Sequence, residues 1–275
     1  MIGRSVKRRL LVALAVAVVA GPILASVVLA LDPYSQDLAD RFAGPSRAHL
    51  LGTDHLGRDL LSRLLVGARL SIGLTLVLVA TNAISGTVIG MIAASRGGVV
   101  AAVVERVIDV MVAVPSIAVG LLLAAILEPG MAAIGIAVAL GGWMPYARLG
   151  RNLTQSALRS GWATASVVMG GSRWHVVRHS VLPNTIRPIV AHTCLRTAQT
   201  LLGIAGLTFI GLGVQPPTPE LGVMVADGMR FANRTWRLVA LPAAVVVGVA
   251  LVVGSLERVL DDHWDSRAMQ LDRAL

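Results

Sequence analysis

Long uncharged apolar runs alternate with short polar segments along this chain, and most of the runs are long enough to cross a membrane. Leu10 to Leu31 contains no charged residue and is long enough to span about 30 Å of hydrocarbon. Arg4, Lys7, Arg8 and Arg9 precede it, which predicts a first helix whose amino terminus faces the cytoplasm. Val28-Leu29-Ala30 would also fit a cleavage site, but the apolar run exceeds that of an ordinary signal peptide. Ile72 to Ala94 forms a second uncharged run, with Gly86 and Gly90 at the GxxxG spacing; they read either as a pair that lets helix backbones approach closely or as two tolerated glycines. Val110 to Leu127 follows Glu105, Arg106 and Asp109, and Pro115 within it predicts a kink. Glu128-Pro129-Gly130 reads as a tight outer turn. Met131 to Ala147 is a fourth span, interrupted by Gly141-Gly142 and Pro145, with an inner loop expected from about Arg148. Ile189 to Leu212 and Val239 to Leu256 bring the expectation to six transmembrane helices, all-α, with both termini cytoplasmic.

The polar segments place the chemistry. Residues 32–70 balance five acids against five arginines and are punctuated by Asp32-Pro33, Gly44-Pro45 and Gly52. This predicts an extracytoplasmic loop in which a Gly/Asp-rich turn, Gly52 to Gly57, feeds an amphipathic helix from Arg58 to Arg69. Asp54, His55 and Asp59 could form a metal trio. The preferred reading is a turn cap at Asp54 and a helix start at Asp59. Glu105 and Asp109, four residues apart, share a helix face. They read either as a proton relay or as interfacial carboxylates near Arg106, and the second reading is preferred.

The segment from Arg159 to Pro188 is basic throughout, carrying Arg159, Arg173, Arg178 and Arg187 and no acid; such bias marks a cytoplasmic loop. Trp162 to Met169 predicts a short helix broken at Gly170-Gly171. Trp174 to Leu182 predicts a second, ended by Pro183. Two short helices at an angle make a knob that a soluble partner can grip. Farther on, Arg196 and Gln199 lie one turn apart inside the fifth run. Arg196 reads either as a pore-facing group on a hydrophilic solute's path or as a side chain snorkelling to the inner face.

Composition sharpens this picture. The 275-residue chain is 55% hydrophobic and 14% charged, with a mean hydropathy of +0.75, as expected of a multi-pass membrane protein rather than a soluble domain. The net charge of +9 comes with only two Tyr and three Phe, and its scatter among apolar runs fits a membrane surface better than nucleic acid. Cys194 is the sole cysteine, which excludes an intrachain disulfide and a thiolate metal cluster. His175, His179 and His192 raise the alternative of an intramembrane enzyme. The Glu of an HExxH motif is missing, however, and there is no Gly-x-Ser-x-Gly elbow. A gated channel, with flux independent of ATP, is a third class.

Three segments resemble one family. His49 to Ser71 is similar to the LGTDxxGRDxxSRLxxGxRxS signature of the dipeptide/oligopeptide/nickel branch of ABC-importer permeases. Gly206 to Gly228 resembles its SFLGLGxQPPxPEWGxML segment, with Thr208 for Ser and Leu221 for Trp. The basic loop resembles the EAA loop: Thr164-Ala165-Ser166 at the EAA position, Gly170 at its glycine, and Val181-Leu182-Pro183-Asn184 at its end. Thr164 replaces the family's Glu. RVIDVMVAVPSIAVG and the tail LERVLDDHWDSR extend the likeness to roughly Leu50–Asp272. The resemblance implies a type I importer permease in the bacterial inner membrane, working by alternating access. The domains implied are a first helix within 1–31, an outer loop over 32–70, a five-helix core over 71–256 holding the coupling loop 151–188, and a cytoplasmic tail over 257–275. The amphipathic helix of the outer loop is expected along the outer membrane surface. ATPase-coupling residues are Trp162, Ala163, Thr164, Ala165, Ser166, Gly170, Leu182 and Pro183; Arg196 and Gln199 lie on the candidate path. The partners implied are a second homologous permease, two cytoplasmic ATPases that bind the ATP, and an extracytoplasmic binding protein. No Gly-x-x-x-x-Gly-Lys-Ser/Thr loop occurs in this chain itself. Within the branch the solute is a di- or oligopeptide, nickel or a metal chelate. The segments GWMPYARLGR and GIAGLTFIG lean the expectation toward nickel or a metallophore.

Overall fold

A computed structural model describes residues 4–29, 31–170, 172 and 176–272. Among the described residues the chain is helical, apart from turns and one isolated bridge between Thr53 and Asp59. The helices are α1 (Arg4–Val28), α2 (Leu60–Arg96), α3 (Gly98–Val112), α4 (Ser116–Leu127), α5 (Met131–Leu158), α6 (Gly161–Val168), α7 (Leu182–Phe209), α8 (Leu221–Met229) and α9 (Arg237–Asp272). Four segments are long and apolar enough to cross a membrane: Arg9–Val28, Leu60–Arg96, Met131–Leu158 and Arg237–Leu260. The other two expected spans differ from these in sequence. One is cut at Pro115 into α3 and α4, and the other, α7, carries Arg187 and Arg196.

The amphipathic helix expected over Arg58–Arg69 is not a separate element: it forms the first turns of α2, which runs unbroken for 37 residues, about 55 Å. Asp59 caps it, its carboxylate accepting from the Ser62 backbone N–H at 2.7 Å and the Ser62 hydroxyl at 2.8 Å. No glycine–proline break lies between Arg69 and Ile72, so nothing stops the helix there. Ser62 and Arg63 turn inward, whereas Arg69 is exposed. Arg63, 3% exposed, donates to the Pro33 and Pro217 carbonyls at 3.2 and 3.3 Å.

Pro115 does more than kink its helix. Ala113 N–H closes α3 on Asp109 O, the chain extends at Pro115, and Ala118 N–H begins α4 on Pro115 O. A missing N–H and a ring pressed on the preceding turn favour this full break. Pro145 has the opposite outcome. The helix predicted to end near Arg148 continues through Leu158, because α2 packs along it on both sides of the proline. A methyl at Gly86 would land on the Trp143 carbonyl and one at Gly90 on the Ala147 carbonyl; one at Gly142 would strike the Asn82 amide, and one at Gly150 would sit 3.1 Å from Thr87 O. The two backbones therefore touch, as the GxxxG spacing predicts. Asn82 Nδ2 donates to Val138 O at 3.3 Å across the seam.

The main core joins Leu60, Leu64, Ala68 and Ile72 of α2 to Leu201 of α7, Leu221 and Met224 of α8, and Leu238, Val246, Val249 and Val253 of α9. Beside it, the segment over residues 32–59 is folded rather than slack. Asp54 Oδ1 accepts from Leu56 and Arg58 N–H at 2.8 and 3.0 Å, and its Oδ2 meets Arg58 Nε at 2.6 Å. Gly57, at φ +75, lets the turn close against Asp37, where a side chain would strike the backbone carbonyl. Arg237 at the start of α9 donates to Leu51 O and Ala43 O at 3.1 and 3.3 Å. His55 stacks on Phe231 with ring centroids 4.7 Å apart, and burial holds its imidazole below the usual range. Asp54, His55 and Asp59 thus serve the turn, the ring stack and the helix cap, respectively.

Glu220 ties the α7–α8 connection to α2. It is 1% exposed, accepts from the Ser71 hydroxyl at 2.7 Å and caps α8 through Val223 N–H at 3.1 Å; Leu221 N–H in turn donates to Ser71 Oγ at 3.1 Å. Burial pushes the Glu220 carboxyl above its ordinary value of 4.5, outweighing the hydrogen bonds that favour the anion. A raised carboxyl pKa in the folded state means stability is lost as pH climbs from the ordinary glutamate range through the raised value.

Two predictions follow from these contacts. Gly86→Leu should destabilise the detergent-solubilised protein by about 3 kcal/mol or more by wedging two packed helices apart, whereas Gly73→Ala, which meets open space, should change it by less than about 1 kcal/mol; thermal unfolding separates the two. Glu220→Gln mimics the protonated side chain, so as pH rises through the shifted range its melting temperature should gain on that of the wild type. A constant gap between the two would show that Glu220 does not titrate in that range.

Candidate functional site

The candidate site is the end of the bundle where α5 hands over to α7 through α6. α5 ends when Arg159 N–H turns back to Gln155 O and Ser156 O, each at 3.2 Å. Arg159 and Ser160 then lead into α6, a helix of two turns that Met169 N–H extends onto Ala165 O at 3.0 Å. Gly170 follows at φ +86 with open space around it, a conformation other L-residues adopt only with strain. The short helix and the glycine break expected from the sequence are present on these residues.

The second arm differs from expectation. Val177–Val181 is a single π-helical turn, and Leu182 N–H reaches back to Val177 O. The chain then runs directly into α7, so Pro183 lies in the first turn of a 28-residue helix rather than ending a short one. The physical reason is local. A first-turn residue needs no intrahelical N–H partner, and the wider π turn takes the carbonyl of the preceding turn away from the proline ring.

A small apolar core supports the knob: Ala163 of α6 packs with Val176, Val177 and Val181, with Met91 of α2, and with Ala157, Leu158 and Leu182 at its edge. Ala163 is 2% exposed, whereas Val168 and Met169 are each 81% exposed. Ala165, Gly170 and Pro183 are also exposed, and Ser166 and Leu182 are half-buried. Trp162 and Thr164 belong to α6 by backbone, and their side chains lie outside the described residues, as does His175. The valines beneath the knob went unnoticed in the sequence because a glycine pair hides their register with α6.

Two ion pairs brace this end. Arg148 meets Asp109 at 2.7 Å and Arg151 meets Glu105 at 2.5 Å. The carboxylates at i and i+4 of α3 therefore face arginines at i and i+3 of the antiparallel α5, not Arg106. The matching spacing was the available signal. Arg196 and Gln199 lie on α7 about 20 Å along its axis from Leu182, well away from the knob. Arg196 Nη1 donates to Gln199 Oε1 at 2.8 Å. One turn toward the inner end, His192 faces the ring of Tyr146 of α5 at 5.5 Å and nearly at right angles. His179 lies on the π turn, more than three helical turns from His192.

What the arrangement offers is an exposed, basic projection that breaks at Gly170 and is rooted in the long helices. Residues 86–266 match the family described as the binding-protein-dependent transport system inner membrane component. The chain is 36% identical over 220 residues to a probable D,D-dipeptide transport system permease of Escherichia coli, covering 80% of this chain and 74% of that one. It is 31% identical over 254 residues to a dipeptide transport system permease of Haemophilus influenzae, covering 90% and 86%. Its fold is similar to that of an amino acid ABC transporter solved with histidines, at a TM-score of 0.59 and 18% identity over 73% of this chain and 94% of the other. An inward-facing methionine ABC transporter gives a TM-score of 0.53 at 18% identity, covering 73% and 95%. A polytopic helical bundle, its inner glycine hinge and these matches agree: the chain belongs to the family of inner membrane components of binding-protein-dependent transport systems.

Proposed function

We propose that this chain is one transmembrane half of an ATP-driven importer of small peptides, and that the knob around α6 and Gly170 is where ATPase motion enters it. As the permease subunit of an inner-membrane ABC system it is not itself catalytic; ATP binds to the partner ATPases. The observation that carries the reading is the form of the knob: α6 packs inward through Ala163 while Ala165, Val168 and Met169 stand exposed beyond it. With Thr164 where the family has Glu, this outer surface offers an ATPase groove apolar contact in place of a carboxylate.

The complete assembly pairs this chain with a second, related permease, two ATPase subunits and an extracytoplasmic binding protein. Six spans with both termini cytoplasmic fit it: α3 with α4 forms one crossing despite the break at Pro115, and α7 forms another whose polar face lines the path. Closure of the ATPase dimer moves both knobs, and the paired bundles turn the cavity from inward to outward; hydrolysis resets it. The coupling loop spans 151–188, and its contact residues are Trp162, Thr164, Ala165, Ser166 and Gly170, with Ala163, Leu182 and Pro183 fixing the base. Arg196 and Gln199 face the path.

Small peptides are preferred to nickel or a metal chelate as solute. The names of similar permeases specify D,D-dipeptides, dipeptides, di- and tripeptides and glutathione, and the lean toward nickel drawn from the helix endings has no counterpart among them. The outer loop, folded over residues 32–59, provides a shaped surface for a docking protein.

Gly170→Leu should insert and assemble normally yet lose at least about tenfold in uptake while the complex still hydrolyses ATP, because strain at a positive φ displaces α6. Wild-type uptake by that variant would remove Gly170 from the coupling route. In a Cys194→Ser background, Ala165→Cys should crosslink to the ATPase subunit and label only from the cytoplasmic side, while buried Ala163→Cys should react far more slowly. Labelling of position 165 from outside would invert the topology and overturn the assignment.

A further inference from the structure

α7 carries an uncompensated cation midway along its length. Arg196 is half-buried, one terminal nitrogen is held by Gln199, and its buried Nε has no hydrogen-bond partner. Among the described residues no carboxylate forms an ion pair with it. A charge at such depth does not face hydrocarbon unpaired. Gln199 is exposed, and so are Gly203 and Gly206 farther along the same face, at positions three, seven and ten residues beyond Arg196. A side chain at either glycine would meet nothing within 4 Å. The chain therefore leaves a strip that begins at a guanidinium and passes over two open glycines, with Leu202 exposed along its edge.

Unused polar atoms sit at the foot of this strip. His192 Nε2 and the Tyr146 hydroxyl are both buried without a well-formed hydrogen bond, and Tyr146 is 1% exposed. Thr193, the polar neighbour of that hydroxyl, donates its own proton to Ile189 O at 2.7 Å. Arg196 lies close enough to act electrostatically on both rings. Buried polar atoms left unpaired cost stability, and two of them, on Tyr146 and His192, lie beside Arg196, whose own Nε is a third.

We infer that this face of α7 is a carboxylate-receiving site: Arg196 takes the charge of a passing solute, Gln199 orients the guanidinium, and His192 and Tyr146 keep the pocket polar beside it. This assignment depends on the pathway role proposed for α7, and it specifies the chemical group that the path recognises. A free peptide C-terminus provides that group. An anionic lipid headgroup carries a comparable charge, and the test separates the two.

The complete importer, with both permeases, ATPases and binding protein, is placed in proteoliposomes with Cys194→Ser as background and Gly203→Cys as reporter. Two methanethiosulfonate reagents are compared, one bearing a sulfonate and one a trimethylammonium group. The sulfonate reagent should react on the order of tenfold faster in the field of Arg196. Arg196→Gln should abolish the preference and Arg196→Lys should keep it. Added salt should erode the preference in the complex with Arg196 intact, which reads the charge even where Arg196→Gln fails to assemble. During ATP-driven import, the dipeptide Ala-Phe should slow sulfonate labelling and Ala-Phe amide should not.

Equal rates for the two reagents, or a preference that survives Arg196→Gln, would overturn the site. No reaction of either reagent would place the strip against lipid and assign Arg196 to a headgroup. Equal effects of the acid and the amide would leave a basic pocket with no carboxylate selectivity, and would likewise end the proposal. Import is scored separately in the same vesicles. ATP-driven import without charge preference defeats the carboxylate site alone, whereas an intact preference without import defeats the importer reading alone.

Discussion

Direct backbone contact between α2 and α5 is the constraint on which the rest of this bundle depends. In hydrocarbon, apolar side chains gain little by leaving lipid for one another, so helices associate where their surfaces fit closely. Gly86, Gly90, Gly142 and Gly150 strip that seam of side chains. Dispersion contacts and the Asn82 amide then hold what hydrophobic transfer cannot. The same seam carries α5 past Pro145 without a break, so the inner ends of α2 and α5 emerge side by side. Met91 of α2 and Leu158 of α5 consequently meet beneath α6, and the knob has a floor.

Electrostatics then sort the two ends of the molecule. At one end, carboxylates, arginines and backbone carbonyls satisfy one another inside a folded loop: Asp54 with Arg58 and Arg63, and Arg237 with two carbonyls. At the opposite end, Glu105 and Asp109 are consumed by Arg151 and Arg148, which lashes α3 to α5. Exposed pairs of this kind contribute little each, so their value is in fixing register between two helices rather than in stability. Arg196 stands apart from both groups, half-buried midway along α7.

Much of this was legible in the sequence. The apolar runs located the long helices because nothing but a span needs so many uncharged residues in a row. The capping roles of Asp54 and Asp59, the short helix that stops at Gly170 and the close approach at Gly86 and Gly90 were each visible as residue types at the right spacing. The proline outcomes were not. Pro115 ends its helix, Pro145 is absorbed and Pro183 opens a helix, and the difference lies in what packs beside each one, which local sequence does not contain. The partners of Glu105 and Asp109 and the meeting of Tyr146 with His192 likewise depend on which helices are neighbours. The continuity of α2 was hidden by the change from a polar, loop-facing pattern to an apolar one, a change of surroundings rather than of secondary structure.

That continuity has a mechanical meaning. A rod about 55 Å long, anchored at one tip by the folded loop and at the other by the floor of the knob, has no joint in which to lose motion. Tilting it by five degrees sweeps one tip by about 5 Å relative to the other, roughly the rise of one helical turn. A displacement imposed at the folded loop would thus reach the floor of the knob at full amplitude, and one imposed at the knob would travel back the same way.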